Sequence, residues 1–400
     1  MFYDILLNGG IIMSKFYMKY LILFIGLGAY NTFLPVYLEN TLGFSSSQVG
    51  IIVSIPSILG IVFVPIWGLL SDLMNKQKLI LWINVLVSLL CAGIYTITKS
   101  FLAVFIVAIF LEMFRNSILP LTDTITTAYC EKTNKNYGNI RVIGSLFFAV
   151  ASFLCGQLIK MTNNDLMFFY VFIVSMIGCL IITPTLPTLE SNTKSEKVNL
   201  KQDLPLLFKN KAYLLILLCG ICVNSLTEAM ASYQGIHLMN LGAGSDLVGL
   251  LTVFMVLPEL FFMVKTKSLL EKYGVVKMIS FASIALILRW VVYLFTSNPL
   301  IFMIATSMHG VAISIIIICS FDFIGKVVDK KLYTTSMTVY SFTIGISYSL
   351  MKLLYGGLID TFGIKSIFIF SIVVSLFSFV VLNLISKLDI FKNKEEIELA

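Results

Sequence analysis

Apolar runs of about 20 residues, broken by short polar or turn-forming stretches, recur twelve times along the chain. Each is long enough for a helix to cross the hydrocarbon core of a bilayer. The breaks place spans near 18–40, 48–71, 79–98, 101–127, 139–159, 166–187, 212–240, 247–268, 276–296, 300–324, 335–358 and 364–386. The pattern predicts an all-α integral membrane protein of 12 transmembrane helices. The longest polar interruption, Leu189 to Lys211, carries eight charged residues and no run able to span, so six spans precede it and six follow. The expected organisation is an N-terminal bundle over 1–188, a central loop over 189–211 and a C-terminal bundle over 212–400.

Sliding the chain on itself by 199 residues sets Asp72 on Glu271, Lys78 on Lys277 and Asp123 on Asp322, all at matching loop or helix-end positions. The coincidence predicts duplicated six-helix halves related by a pseudo-two-fold along the membrane normal.

Composition excludes a soluble alternative. With 58% hydrophobic and 12% charged residues and a mean hydropathy of +0.96, one core could not hide the apolar surface. The formal net charge of +7 could suggest an anionic polymer partner, but 22 of the 28 Lys and Arg fall on alternate connecting segments. That asymmetry is the positive-inside pattern. It predicts a plasma-membrane, multi-pass protein with both termini cytoplasmic, and no nucleic acid partner. The first twelve residues lack the basic region and cleavage site of a signal peptide, and Met13-Ser14-Lys15 offers a second start beside Met1. The seven cysteines lie almost all within apolar spans and read as small hydrophobic residues; the Cys219–Cys222 pair, inside a span, has no water or thiol partner to work with.

The segment Pro65-Ile66-Trp67-Gly68-Leu69-Leu70-Ser71-Asp72, followed by Lys76 and Lys78, resembles the loop between the second and third spans of the major facilitator superfamily. There Gly68 is expected to let two helices approach, Asp72 to receive charge-assisted bonds from a neighbouring helix end, and the lysines to hold the turn. The chain departs from the usual pattern at Leu73, where a basic residue is common, and at Asn75, where glycine is common; in the second half Lys267 replaces the glycine. Further stretches resemble the proton symporters of the lactose permease and nucleoside permease branch. They are Leu34-Pro35-Val36-Tyr37-Leu38-Glu39, Pro120-Leu121-Thr122-Asp123, Tyr137 to Ser145, Pro258-Glu259, Arg289-Trp290, His309-Gly310 and Gly356 to Gly363. The resemblance implies alternating access around a central site between two six-helix bundles.

Ionisable residues inside spans need protein or water around them and usually a partner, since each costs about 2.5–3.5 kcal/mol at mid-bilayer. Six stand there: Glu112, Arg115, Glu228, Glu259, Arg289 and Lys352. Glu112 and Arg115, with Asn116, share one face of span four; they either neutralise one another or present a polar group to substrate. Glu259, Arg289 and His309 fall at similar depth in spans eight to ten, an acid, a base and an imidazole that together suit a proton site. The plainer reading of His309 is a satisfied core histidine. Resemblance to lactose permease supports Arg289 and His309, but where that family carries its proton-bearing glutamate, three residues after the histidine, this chain has Ala312. The proton carrier would then be Glu259, or else Glu228, unless coupling to protons is absent.

Asn224 and Glu228 share a face of span seven, with Tyr233 and Gln234 beyond them. Substrate contact and structural hydrogen bonding both fit. Tyr30 and Asn31 in span one are their natural counterparts, and aromatic rings with amides and carboxylates suit a sugar or nucleoside. Asp123 and Arg141, with Asp72 and Asp322, read as gate residues holding the inner ends together, or as ordinary loop salt bridges. Pro56, Pro65 and Pro120, and Gly345, Gly356 and Gly357, suit helix bending or close packing equally.

No Walker loop, nucleotide domain or metal-ligand cluster is evident, so no cofactor is expected and an ion gradient would supply the energy. The expected activity is proton-coupled symport of a small polar solute by a monomer, not an enzyme. Alternatives are a proton-antiport exporter of drugs or sugars, a membrane-embedded enzyme acting on a lipid-linked substrate, and a sensor with a transporter fold.

Overall fold

The computed structural model describes residues 11–187 and 200–385. Residues 189–199 of the expected central loop, the lysines after 386 and the question of Met1 against Met13 lie outside them. Twelve helices in the described residues are long and apolar enough to cross a bilayer. In the first half these are α1 (Ile11–Val36), continued by a π-turn at Tyr37–Thr41, α2 (Ser46–Leu73), α3 (Gln77–Ile97), α4 (Phe101–Thr133), α5 (Tyr137–Thr162) and α6 (Met167–Ile182). The second half holds α7 (Lys211–Asn240), α8 (Ser245–Tyr273), α9 (Val275–Phe295), α10 (Pro299–Val327), α11 (Tyr333–Phe362) and α12 (Lys365–Ile385). A short helix, Leu200–Lys209, precedes α7 where the sequence suggested only loop. Several helices outrun their apolar runs: α4 continues through Glu131 and Lys132, and α8 through Glu271 and Lys272. Hydropathy marks only the part that needs an apolar solvent, whereas backbone hydrogen bonding carries the helix on into polar surroundings.

The helix ends follow local chemistry. Ser45 and Gln48 form a reciprocal capping box at the start of α2, and Asn136 and Asn298 accept backbone N–H groups at the starts of α5 and α10. Within the halves, α3 packs on α4 and α6, and α9 packs on α10 and α12, the same neighbours displaced by one six-helix unit.

The backbone supplies independent support for duplication. Gly43 (φ +71) and Gly242 (φ +86) are 199 residues apart, and so are Asn75 (φ 50) and Gly274 (φ +77). Both copies of these loops turn through the left-handed region, which only glycine, and to a lesser degree asparagine, enters cheaply. This explains why Asn75 can stand where the superfamily favours glycine. Asn75→Gly is expected to leave the thermal unfolding midpoint in detergent unchanged or raised, whereas Asn75→Val should lower stability by about 1–2 kcal/mol.

The chain packs as two compact units. One holds α1–α6 together with Ser232–Val253; the other holds residues 200–231 and those from Phe254 on. The far end of α7 and the start of α8 thus group with the first unit, a division different from the sequence boundary at the central loop. Glycines permit this packing. A Cβ on Gly249 would lie 2.3 Å from the Ser152 carbonyl oxygen, and one on Gly156 would lie 2.4 Å from that of Ser245. A Lys160–Asp246 salt bridge of 2.7 Å closes the same face.

Candidate functional site

In the first unit, α4 and α1 bring five of the expected substrate residues together. Arg115 Nε donates to Glu112 Oε1 (3.0 Å) and Arg115 Nη2 to Glu112 Oε2 (2.7 Å), a bidentate fork between residues one helical turn apart. The third arm, Nη1, donates to Asn31 Oδ1 at 3.2 Å. Tyr30 donates its hydroxyl to Glu112 Oε1 (3.4 Å) and lays its ring 4.9 Å from the guanidinium carbon. Phe172 backs that ring at 4.9 Å. Tyr30 is only 1% exposed, so it orients Glu112 from behind and is not the open stacking face that a flat solute would need. Asn31 is exposed, and Arg115 and Asn116 partly so. Polar side chains at this depth are stable only against water or protein.

The placement of this cluster depends on Gly60 of α2. A Cβ there would stand 2.2 Å from Asn116 Nδ2 and 2.7 Å from the Glu112 carbonyl oxygen, so α2 and α4 cross at backbone distance beside the ion pair. In the second unit a Cβ on Gly310 would stand 2.2 Å from the Met255 carbonyl oxygen and 2.6 Å from Glu259 N. Gly60 and Glu259 are 199 residues apart, so both halves make the same helix crossing, with the glycine on α2 in one and on α10 in the other. Gly68 needs correction: nothing lies within 4 Å of a Cβ there, so it is Gly60, two turns earlier, that admits the neighbouring helix.

Arg289 organises the second unit. It is fully buried, with Nε donating to the Tyr293 hydroxyl at 3.1 Å and Nη1 lying 3.5 Å from His309 Nδ1. Its guanidinium carbon stands 4.6 Å from the Trp290 ring and 5.0 Å from the Tyr293 ring. A guanidinium can only donate, so the shared contact selects the tautomer of His309 that is protonated at Nε2. The Tyr293 hydroxyl meets Thr306 Oγ1 at 2.5 Å, continuing the polar chain from α9 into α10. Glu228 on α7 is a carboxylate within electrostatic range of both Arg289 and Lys352. Glu259 lies with its backbone against Gly310, the residue after His309. Of the expected trio Glu259, Arg289 and His309, the two bases meet directly, Glu259 is placed beside them by its backbone contact with Gly310, and Glu228, the second candidate carrier, lies within range of Arg289. Asn224, one turn before Glu228, is buried with Oδ1 lacking a hydrogen-bond partner, an acceptor left for a solute or water.

Tyr233 and Gln234 belong instead to the first unit, where both are buried and the Tyr233 hydroxyl donates to the Ser46 carbonyl oxygen at 3.4 Å. That geometry makes Tyr233 a packing residue at the start of α2.

The expected gate residues are each engaged within their own unit. Asp72 accepts from Gln77 Nε2 (3.4 Å), not from a cation on a neighbouring helix end. Lys76, exposed, caps α3 through its carbonyl, which accepts from Leu79 N and Ile80 N. Lys78 Nζ donates to the carbonyl oxygens of Pro184 (3.4 Å) and Leu186 (2.9 Å), tying the α2–α3 turn to the end of α6. Asp123 accepts from the Tyr20 and Tyr137 hydroxyls, while Arg141 stacks on Phe24 at 4.7 Å within range of the Asp123 charge. Asp322 pairs with Lys326 at 3.0 Å.

Sequence reasoning missed Tyr293, Thr306, Tyr20 and Lys19. Tyr293 follows Arg289 by four residues and Thr306 precedes His309 by three, so helical spacing could have found both. Lys19 is a basic residue near the start of α1, yet it is fully buried, donating to Thr183 Oγ1 at 2.8 Å. Nothing in the local sequence marks that pairing across 164 positions.

Comparison with known proteins agrees with this architecture. The profile of the MFS_1 like family matches residues 13–370. The uncharacterized transporter YwbF of Bacillus subtilis (strain 168) is 31% identical over 326 residues, 80% of each chain. Maltose permease of Geobacillus stearothermophilus is 24% identical over 379 residues, 94% of each. Among solved structures, nucleoside transporter NupG superposes with a TM-score of 0.82 at 16% identity, covering 94% of this chain and 98% of that one. Twelve apolar helices among the described residues and a family match over most of the sequence identify the chain as a member of the MFS_1 like family, a multi-pass membrane transporter of the major facilitator superfamily.

Proposed function

We propose that this transporter imports a small polar solute of the sugar or nucleoside kind in symport with protons. It would work by alternating access, as a monomer in the plasma membrane with both termini cytoplasmic. The observation that carries this reading is the Glu112–Arg115 fork, braced by Tyr30 and shared with the exposed Asn31. A carboxylate, a guanidinium and two amides, Asn31 and Asn116, offer both acceptors and donors at one place, which is what a polyhydroxylated solute requires. The name of the maltose permease relative, which aligns along 94% of this chain, favours a sugar.

Proton coupling is assigned to Glu228 or Glu259 with Arg289 and His309. A carboxylate facing a buried arginine is a proton carrier when that arginine can be drawn away or brought back. Asp72, Asp123, Arg141 and Asp322 serve the gate through the contacts within their own units.

The test is internal pH in proteoliposomes pulsed with maltose, other sugars and nucleosides in turn. We expect one solute class to drive proton entry, and Glu228→Gln or Glu259→Gln to abolish it while solute exchange between the two sides persists. Solute accumulation without proton movement, or proton movement opposite to solute, would overturn symport.

A further inference from the structure

A cleft of about 450 Å³ opens where α10 ends and α11 begins, lined by Phe321, Asp322, Gly325, Lys326, Lys330 and Tyr333. Its chemistry is layered. Phe321 (38% exposed) and Tyr333 (40% exposed) present aromatic surface from the last turns of α10 and the first turn of α11, the level at which spans give way to water and where such rings favour the membrane interface. Lys326 and Lys330 add two positive charges and Asp322 one negative. The Asp322–Lys326 bridge of 3.0 Å offsets one of these pairs, which leaves the lining with one net positive charge, carried by the exposed Lys330. Gly325 keeps the floor open: a Cβ there would only touch Tyr333, at 3.5 Å.

From this arrangement we infer that the cleft binds the headgroup of an anionic phospholipid. A monoanionic phosphodiester matches the single net charge, Lys330 and Lys326 supply donors to its oxygens, and the glycerol backbone and first acyl carbons lie along Phe321 and Tyr333. A basic pocket between helix ends at the bilayer surface selects for headgroup charge, whereas the rest of the apolar belt takes any acyl chain. The cleft involves none of the residues assigned to solute or protons; it shares with the gate only Asp322, whose bridge to Lys326 forms one wall.

The test is retention of lipid adducts in native mass spectrometry of the full chain, purified and titrated with phosphatidylglycerol or phosphatidylcholine. Wild type should retain phosphatidylglycerol selectively. Lys330→Gln should weaken that adduct roughly fivefold, the effect of one basic residue at a membrane surface, and Gly325→Leu should remove it by filling the cleft. Lys265→Gln, which removes a lysine at the corresponding end of α8, should leave it unchanged. Equal loss in Lys265→Gln, equal retention of the two lipids, or displacement by millimolar inorganic phosphate would each overturn the inference. Lys330 is an exposed side chain, so its variant folds and decides the matter even if Gly325→Leu does not. The readout is independent of transport, so this result and the proton-flux result stand or fall separately.

Discussion

Glu112→Gln is expected to destabilise the protein by about 3–5 kcal/mol, the range for removing one member of a buried ion pair. Both side chains are nearly enclosed, at 12% exposure for Arg115 and 7% for Glu112, so water can do little to screen the remaining charge. Arg115 would keep Asn31 and the Tyr30 ring but lose the opposing charge and one arm of its fork, since the amide offers one acceptor oxygen and turns an NH2 donor toward the guanidinium. Arg115→Gln should do similar harm by leaving the carboxylate with only the Tyr30 hydroxyl. The double variant, Glu112→Gln with Arg115→Gln, buries no charge at all, and its unfolding midpoint in detergent should return most of the way to that of wild type.

Transport separates the two roles the pair could play. A pair that only cancels its own charges becomes dispensable once both members are neutral, so the double variant would regain uptake along with stability. A pair that binds solute does not. We expect uptake by the double variant to stay down by roughly 100-fold, equivalent to about 2.7 kcal/mol of lost solute interaction. Recovery of uptake together with stability would remove Glu112 and Arg115 from the binding site and leave Asn31 and Asn116 to account for it.

The sequence made this cluster half legible. Spacing along α4 fixes Glu112, Arg115 and Asn116 on one face, because the helical repeat is local and periodic. That Asn31 and Tyr30 meet them depends on the α2–α4 crossing at Gly60 and on Phe172 behind the ring, which involve three further helices. The same limit governs the glycines. The Gly68 motif is conspicuous in sequence but its Cβ position is empty, while at Gly60, in no motif, a Cβ would stand 2.2 Å from the Asn116 amide. Duplication is more legible than the charged matches at Asp72, Lys78 and Asp123 imply, since the loop pairs Gly43/Gly242 and Asn75/Gly274 keep the same offset. Turn residues betray a repeat because left-handed backbone tolerates so few substitutes. Tyr233 shows the reverse: its place along α7 suggested the solute path, but the far end of that helix packs with the first unit.

Arg289→Lys is expected to reduce uptake by roughly 10- to 150-fold although it preserves the charge. The reason is geometric. Arg289 uses its planar fork in two directions at once, Nε toward Tyr293 and Nη1 toward His309, while its face covers Trp290. A lysine ammonium is a point donor on a flexible stem and cannot hold both partners while stacking. One hydrogen bond to a charged group, worth about 1.5–3 kcal/mol, accounts for a loss of that size if it is needed in the rate-limiting state. Arg289→Gln should be more damaging to folding than to any single contact, because it leaves Glu228 to Lys352 alone; pairing it with Glu228→Gln should restore the folded yield but not proton-coupled uptake. Tyr293→Phe isolates the remaining link, since it keeps the ring under the guanidinium and deletes the hydroxyl that joins Arg289 to Thr306. If Arg289→Lys and Tyr293→Phe both transport solute and protons at the wild-type rate, a positive charge is all this position supplies, and the orientation of His309 has no part in coupling.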